Sequence, residues 1–507
     1  MKAAQDIDVS SKRKSLVLIT VDCLRADHCG FHGYSRPTTP FLDALGAESI
    51  VVPTAVVAGA PTYYSLPAIL ASRMPLALGR DVVGLAPGEN TLATALRDAG
   101  YATAAFSAAN PYISPRFGYN HGFEVFEDFL DYGATSAGSE DGPVTHGSSS
   151  SSGTLGKINH SLRRAARGIG FGSLYDELYF QYRLGVASPR VDHIDTLRRF
   201  PSAEMIVDRA LLWLKSVGDR PFFLWLHLMD PHSPYYPSAA VYRELTGRQI
   251  SASRARYLNE FWNRSDIGPR SLEPKRDSVV PLYDAGIRAV DDQMARFVSQ
   301  LKRLSLWDLC TLVLTADHGE EFLDHGRRYH APLNMHEEIV RVPLMIRVPG
   351  FAKVGSPAAA AFSHLHLAPT LLNILDVPPP ASFQGTTLWP HIQQGASWDI
   401  PAVSECVYGV TNPLCRQDRM GPRMFSVRIG RYKLIVRVQG DAVEELYDLE
   451  ADPAAHQPLP AGTEKKIRAE LLQAARTSIQ SRCEASASLR LKARLHDLRV
   501  DLQSKVG

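Results

Sequence analysis

The sequence predicts an α/β protein: a large, mixed but mainly parallel sheet flanked by helices, with a small antiparallel sheet near its C-terminus. Three observations point there. Short apolar runs stop abruptly at polar groups, as Leu16–Val21 does at Asp22 and Thr311–Thr315 does just before Asp317-His318-Gly319. Such runs alternate with helical spacing, the βαβ rhythm of a parallel sheet. After Met424 the pattern changes to alternating runs around Gly430-Arg431, a hairpin signal.

In chain order, Leu16–Val21 reads as the first buried strand. Asp22-Cys23-Leu24-Arg25-Ala26-Asp27-His28 follows, with Arg25 and Asp27 read as a local ion pair. Phe41–Glu48 has helical spacing. Ser65 is expected to cap a helix with Pro67 in its first turn, leaving Thr62 just ahead of it. A hydroxyl there lies in a positive field that favours an anion or an alkoxide; an ordinary loop threonine is the alternative. Glu89–Gly100 reads as a helix ending at glycine and Tyr101–Ser107 as the next strand. Residues 137–156 are low-complexity and polar and are expected to be a mobile loop, and 157–200 reads as a basic insertion.

Ala203–Val217 reads as an amphipathic helix. The strand from Pro221 breaks into Asp230-Pro231-His232. His232, on a loop, is the better functional candidate; His227, in strand register, reads as a core histidine. A long helix over Asp284–Leu304 leads into the Cys310 strand. Val340–Gly350 is a further strand and His364–Leu375 a helix. The chain is expected to divide into 1–395, an antiparallel unit over 396–460 and a helical tail over 461–507. Leu491, Leu495, Leu498 and Leu502 give that tail an apolar stripe for packing or for pairing two copies.

Bulk properties exclude some classes. A net charge of +2 over 507 residues offers no electrostatic case for nucleic acid. Six cysteines in so long a chain are not a disulfide framework. The run Leu16–Val21 is shorter than a signal core, and no apolar window spans a bilayer, so a cytoplasmic protein is expected.

The strand ends carry the chemistry. An acid and an imidazole at the carboxyl end of a buried strand sit where open α/β sheets bind ligands. Asp317 and His318 have the donors for a divalent cation, and Asp22 is a second acid positioned to join them. A polar turn closing a strand fits the same stretch taken alone.

Together, Asp22 to His28, Arg36-Pro-Thr-Thr-Pro-Phe-Leu-Asp43, Asp230-Pro-His-Ser-Pro-Tyr235, Asp291-Asp-Gln-Met294 and Thr315-Ala-Asp-His-Gly-Glu-Glu-Phe322 resemble the sulfatase branch of the alkaline phosphatase superfamily. Val342–Arg347, Gly430–Lys433 and Leu446–Leu449 extend the likeness over most of the chain. The resemblance implies an alkaline phosphatase-like fold, a metal-dependent ester hydrolase, and a small-molecule ester as substrate. It implies that Asp22, Asp317 and His318 are metal ligands, that Thr62 is the nucleophile and a fourth ligand, and that His232 serves the substrate or the leaving group. His325, Tyr63 and Asn110 are expected at the substrate, and His336 in packing. Arg163, Arg164 and Arg167 are either an acidic-group site or a solvated helix face.

Two departures matter. Thr62-Tyr-Tyr-Ser-Leu66 stands where sulfatases keep Cys/Ser-x-Pro-x-Arg, so no formylglycine is expected. Cys23 stands where the family commonly has a second acid, which favours manganese or zinc over calcium or magnesium. A plain threonine resembles superfamily members that work on phosphorus. The expected reaction is therefore cleavage or transfer of a phosphate mono- or diester through covalent Thr62. A sulfatase with an atypical nucleophile, a phosphoryl-group transferase and a non-catalytic binding protein remain as alternatives.

Overall fold

The structure, a computed structural model, describes residues 14–132, 161–162, 164–165, 171–182, 191–351, 360–410, 412–438 and 442–485. Residues 137–156, Arg163, Arg167 and the leucine stripe from Leu491 lie outside the described residues.

The main sheet comprises β1 (Ser15–Val21), β2 (Ile50–Val51), β3 (Ala102–Ser107), β4 (Val125–Glu127), β5 (Phe222–Leu228), β6 (Cys310–Ala316) and β7 (Leu344–Arg347). Their order is β2-β7-β6-β1-β5-β3-β4. The five strands from β6 to β4 run parallel; β7 runs antiparallel to both β6 and β2. β1, Ser-Leu-Val-Leu-Ile-Thr-Val, is buried throughout. Near-continuous apolar sequence of that kind marks a strand covered on both faces. Pro343 separates β7 from the short Arg341–Val342 strand, so the run from Val340 makes two strands instead of one.

The helices used below are α1 (Pro40–Gly46), α2 (Thr62–Ala71), α3 (Leu92–Asp98), α4 (Ala203–Leu214) and α5 (Pro269–Arg303). Thr91 and Thr94 close a reciprocal capping box on α3, and Ser202 caps α4 through the Met205 N–H. Asp291 accepts from the N–H groups of Phe41 and Leu42, so the Asp291-Asp292 motif serves to hold α1 against α5. Helix α5 is 35 residues long and begins well before Asp284. Pro274 and Pro281 inside it, and the charged sequence between, hid its first half.

A second, four-stranded antiparallel sheet follows: β8 (Ala402–Val407), β9 (Arg423–Ile429), β10 (Tyr432–Val438) and β11 (Ala442–Asp448). Helix α6 (Lys465–Ala485) covers it with buried Leu471 and Ala475. Among the described residues no helix is long and apolar enough to cross a membrane.

Candidate active site

Register builds the site. Val21 pairs with Ala316, so Asp22 and Asp317 leave adjacent strands side by side. Thr20 pairs with His227, so His227 shares the sheet face of Thr20 and Asp22. Asp22 is tied to the end of β5 by its N–H, which donates to the Leu228 carbonyl at 2.8 Å.

Thr62 is the first residue of α2, not a residue ahead of it; Pro61 takes the cap position. Ser65 is therefore inside the helix and caps nothing. It is fully buried, and its hydroxyl donates to the Thr62 carbonyl at 3.2 Å. The N–H groups of Tyr64 and Ser65 donate to the Pro61 carbonyl. Those of Thr62 and Tyr63 have no carbonyl to reach within the helix, which leaves a positive end beside the Thr62 hydroxyl.

Thr62 Oγ lies 3.2 Å from His318 Nε2 and 3.4 Å from Asp22 Oδ2. His318 Nε2 is also 3.5 Å from Asp22 Oδ1 and 3.4 Å from Asp317 Oδ2. Its Nδ1–H donates to the Gly319 carbonyl at 2.9 Å, which fixes the tautomer and turns the Nε2 lone pair into the cluster. Asn110 Nδ2 donates to Asp22 Oδ2 at 2.9 Å. His232 bonds the Ser233 carbonyl through Nδ1, and its other nitrogen is free of that bond.

Two residues that sequence reasoning set aside or missed belong here. His227 Nε2 is 3.3 Å from Asp22 Oδ2, while its Nδ1 is 2.8 Å from Thr20 Oγ. Trp225 Nε1 donates to that Thr20 oxygen at 3.0 Å, and the Thr20 hydroxyl has the Leu226 carbonyl at 3.4 Å and His227 Nδ1 within reach, so Thr20 and Trp225 hold the His227 ring beside Asp22. His330 is the residue that sequence reasoning missed. Its ring centroid lies 4.6 Å from that of His318 and 5.0 Å from that of His232.

His325 is placed elsewhere. Its Nδ1 bonds Glu338 at 2.8 Å and its Nε2 bonds the Ala455 carbonyl at 2.9 Å, leaving no nitrogen for a substrate. It stacks on His336, centroids 3.6 Å apart, and His336 packs edge-on against Tyr447. Tyr63 is buried against Tyr64 and Tyr112. Arg25 holds Asp27 as expected, and also reaches Asp324 and the Glu320 carbonyl. A shallow pocket beside His232 is lined by Arg198, Arg199, Phe200, Asp230 and Tyr236.

Electrostatics mark the carboxylate pair. Burial alone would raise Asp22, but His232, His227 and His318 more than offset it and hold its carboxyl well below the usual range. Asp317 is raised, by burial and then by the charge of Asp22. Burial lowers His318, yet Asp317 and Asp22 raise it on balance. Asp317 Oδ2 is buried and has no hydrogen-bond partner among the described residues. Two adjacent buried carboxylates, one with an orphaned oxygen, plus an imidazole lone pair and a hydroxyl, fit a divalent cation.

A family model described as Sulfatase matches residues 14–377, and one described as N-sulphoglucosamine sulphohydrolase, C-terminal, matches 326–480. The chain belongs to the sulfatase family. This sulfatase-family chain is 29% identical over 174 residues to an N-acetylglucosamine-6-O-sulfatase of Bacteroides thetaiotaomicron, covering 34% of this chain and 30% of the relative. It is 25% identical over 224 residues to the multifunctional alkaline phosphatase superfamily protein PehA of Trinickia caryophylli, covering 40% and 43%. Arylsulfatase K of Rattus norvegicus is 24% identical over 276 residues, covering 48% and 47%. The chain thus spans less than half the length of each. Among solved structures, BT4656 in complex with D-glucosamine-2-N,6-O-disulfate superposes with a TM-score of 0.65 at 17% identity, covering 94% and 99% of the two chains. A phosphonate monoester hydrolase of Agrobacterium radiobacter superposes with a TM-score of 0.59 at 18% identity, covering 93% and 96%. These likenesses bear out the expected fold.

Proposed function

We propose that the protein is a metal-dependent ester hydrolase or transferase that works on phosphate esters through a covalent intermediate at Thr62. The observation that carries this reading is the Thr62 hydroxyl, set at the N-terminus of α2 within 3.2 Å of His318 Nε2 and 3.4 Å of Asp22 Oδ2.

Asp22, Asp317, His318 and Thr62 Oγ would hold the cation. When bound it supplies Lewis acidity, lowering the pKa of the threonine hydroxyl and offsetting charge on the ester, with manganese or zinc best suited to the mixed oxygen and nitrogen donors. The chain's own groups do the rest. Thr62 Oγ attacks phosphorus as its proton passes to the Asp22 carboxylate, whose Oδ2 lies 3.4 Å away. The bond to the leaving oxygen breaks, and His232 protonates that oxygen through its free nitrogen. The N–H groups at the start of α2 stabilise the non-bridging oxygens. Water or an acceptor alcohol then attacks phosphorus, and Thr62 Oγ leaves with a proton returned.

Threonine favours phosphorus over sulfur on chemical grounds. A formylglycine hydrate releases sulfate by elimination from its second hydroxyl; threonine has no second hydroxyl on that carbon. Ser65, buried and bonded to the Thr62 carbonyl, does not offer a substitute. Sulfate-ester hydrolysis is the second reading, supported by the match to a sulphohydrolase C-terminal model over 326–480.

The test pairs aryl phosphate mono- and diesters with an aryl sulfate, on the wild type and on Thr62→Ala. Phosphoester turnover abolished by Thr62→Ala, with phosphothreonine at position 62 trapped by acid quench and mass spectrometry, is the expected result. Sulfate turnover at a higher kcat/KM than either phosphoester would overturn the preference.

A further inference from the structure

The helix Gly172–Tyr182 has two apolar faces, and the fold covers only one of them. On the covered face, Phe180 packs on Tyr257 and Phe261 of the helix Ala252–Trp262, with centroids 6.0 and 5.9 Å away. The Arg264 guanidinium lies 4.7 Å over the Phe180 ring and also binds Glu177, which fastens the helix to the body. On the other face, Phe171, Leu174, Leu178 and Tyr182 follow one another at steps of three, four and four. The Tyr175 N–H donates to the Phe171 carbonyl at 3.0 Å, so Phe171 belongs to the same spiral. That spacing sets the four side chains in one stripe, and Phe180, two residues past Leu178, falls on the opposite side. In order along the stripe they are 59%, 53%, 61% and 54% exposed. Ten large apolar side chains are exposed among the described residues, and these four with Leu162 make up half of them. Such a concentration marks a contact surface, whereas single exposed apolar residues need no explanation.

The charge around the stripe is positive. Residues 142–175 hold Lys157, Arg163, Arg164 and Arg167 and no Asp or Glu. Arg164 is exposed. On the elements beneath the helix, the Arg254 guanidinium lies 5.2 Å over Tyr257 and Lys275 Nζ 5.8 Å over the same ring. Cations therefore rim the aromatic layer on which the helix rests. The acids of the helix stand off the stripe: Glu177 is held by Arg264 and Gln181, and Asp176 falls more than a right angle round the spiral from Phe171.

We propose that this face docks on an anionic lipid surface, with the helix lying in the interface plane and its stripe in the boundary between headgroups and acyl chains. An apolar stripe flanked by Lys and Arg suits that surface: the stripe enters the boundary and the cations meet anionic headgroups. A second copy of the chain fits less well. At half exposure, four side chains of roughly 150–250 Å² each offer about 400 Å². A stable protein interface buries ~800 Å² on each partner. Two copies would also bring like cations together, whereas anionic lipid complements them. The helix Ala252–Trp262 beneath the stripe carries Asn259, whose Oδ1 accepts from the Tyr235 N–H at 2.6 Å. The next residue, Tyr236, lines the pocket beside His232, so the docked face stands one helix away from that pocket. The proposal does not rest on the phosphoester reading.

The test is co-sedimentation of the full chain with vesicles of phosphatidylcholine alone and of phosphatidylcholine mixed with phosphatidylglycerol. The wild type is expected to pellet with the mixed vesicles and more weakly with phosphatidylcholine alone. Raising salt from about 0.1 M to about 0.5 M should release part of it, because the contact is partly electrostatic. The double variant Leu174→Ser, Leu178→Ser should weaken the partition by about tenfold or more, as expected for two leucines withdrawn from the acyl boundary. Both positions are exposed, so its circular dichroism and melting curve should match the wild type. A wild type that stays in the supernatant at millimolar mixed lipid overturns the proposal, and that result needs no variant to fold. Equal binding of the double variant overturns it too, since the contact would then lie elsewhere. Binding indifferent to phosphatidylglycerol and to salt removes the anionic surface from it. Sedimentation velocity without lipid supplies the last outcome: a wild-type dimer that the double variant returns to monomer would give the face to a second copy and overturn the lipid reading.

Discussion

Asn110→Ala separates two roles for one side chain. Sequence reasoning expects Asn110 at the substrate; the structure sets its amide against Asp22 Oδ2 at 2.9 Å. That bond is one of three on this oxygen, with His227 Nε2 at 3.3 Å and Thr62 Oγ at 3.4 Å. A hydrogen bond to a charged group contributes about 1.5–3 kcal/mol. Its loss in a water-excluded cluster leaves Asp22 freer to rotate away from Asp317 and His318. A positioning partner of a metal ligand is worth roughly ten- to a hundredfold in metal affinity or activity. Metal titration of activity with an aryl phosphate should therefore show a weaker metal midpoint, with kcat recovering substantially at saturating metal. A substrate contact behaves otherwise: KM rises and the metal midpoint stays. An Asn110→Ala enzyme with a wild-type metal midpoint would refute the positioning argument.

Three further outcomes follow from the same structure. A β-carbon on Gly286 would meet the Asp230 carbonyl at 2.5 Å, so Gly286→Ala should push the loop that carries His232 and cut kcat/KM by about ten- to a hundredfold with metal content unchanged, checked by kinetics and elemental analysis. Lys433→Met leaves buried Glu337 with Arg428 alone, 3.0 Å away, and should lower the urea midpoint by an amount equivalent to about 3 kcal/mol or less, read by denaturation. Burial depresses His325, but Glu338 more than offsets it and raises its pKa. Its stabilising contribution is thus complete below the unfolded value of ~6.5 and is lost as pH rises through the folded value. Melting curves across that window should fall for the wild type and flatten in His325→Gln.

The sheet and the carboxylate pair were legible because the two strands that bear the pair are apolar runs cut off by an acid. Leu16–Val21 and Thr311–Ala316 carry that signal unaided, and pairing of Val21 with Ala316 turns two sequence motifs into one site. Other features were hidden for definite reasons. Ser65 satisfied the capping pattern, but Pro61 supplies a fixed φ one residue before Thr62, so the cap lies four residues earlier and Thr62 stands at the positive end of the helix.

His227 shows where strand parity is needed together with pairing. A histidine inside an apolar strand reads as core until Thr20 is known to be its neighbour; only then does it fall on the face of Asp22. The signal was available, since His227 stands two residues before Met229, the first residue past the strand, much as Thr20 stands two before Asp22, but it required knowing that β1 and β5 adjoin. His330 offers no such signal. It follows a two-residue strand, Arg328–Tyr329, that doubles back on Glu321–Phe322, and Tyr329 takes the left-handed φ of 66 that turns the chain toward His318. No periodicity encodes that return. The residues closest to the chemistry are thus of two kinds: those delivered by strand ends, which composition announces, and those folded back by strained turns, which only the assembled chain brings into reach. Cys23 belongs to both. It sits at a strand end and holds a left-handed φ, and its sulfur meets Asp22 on one side and His330 on the other.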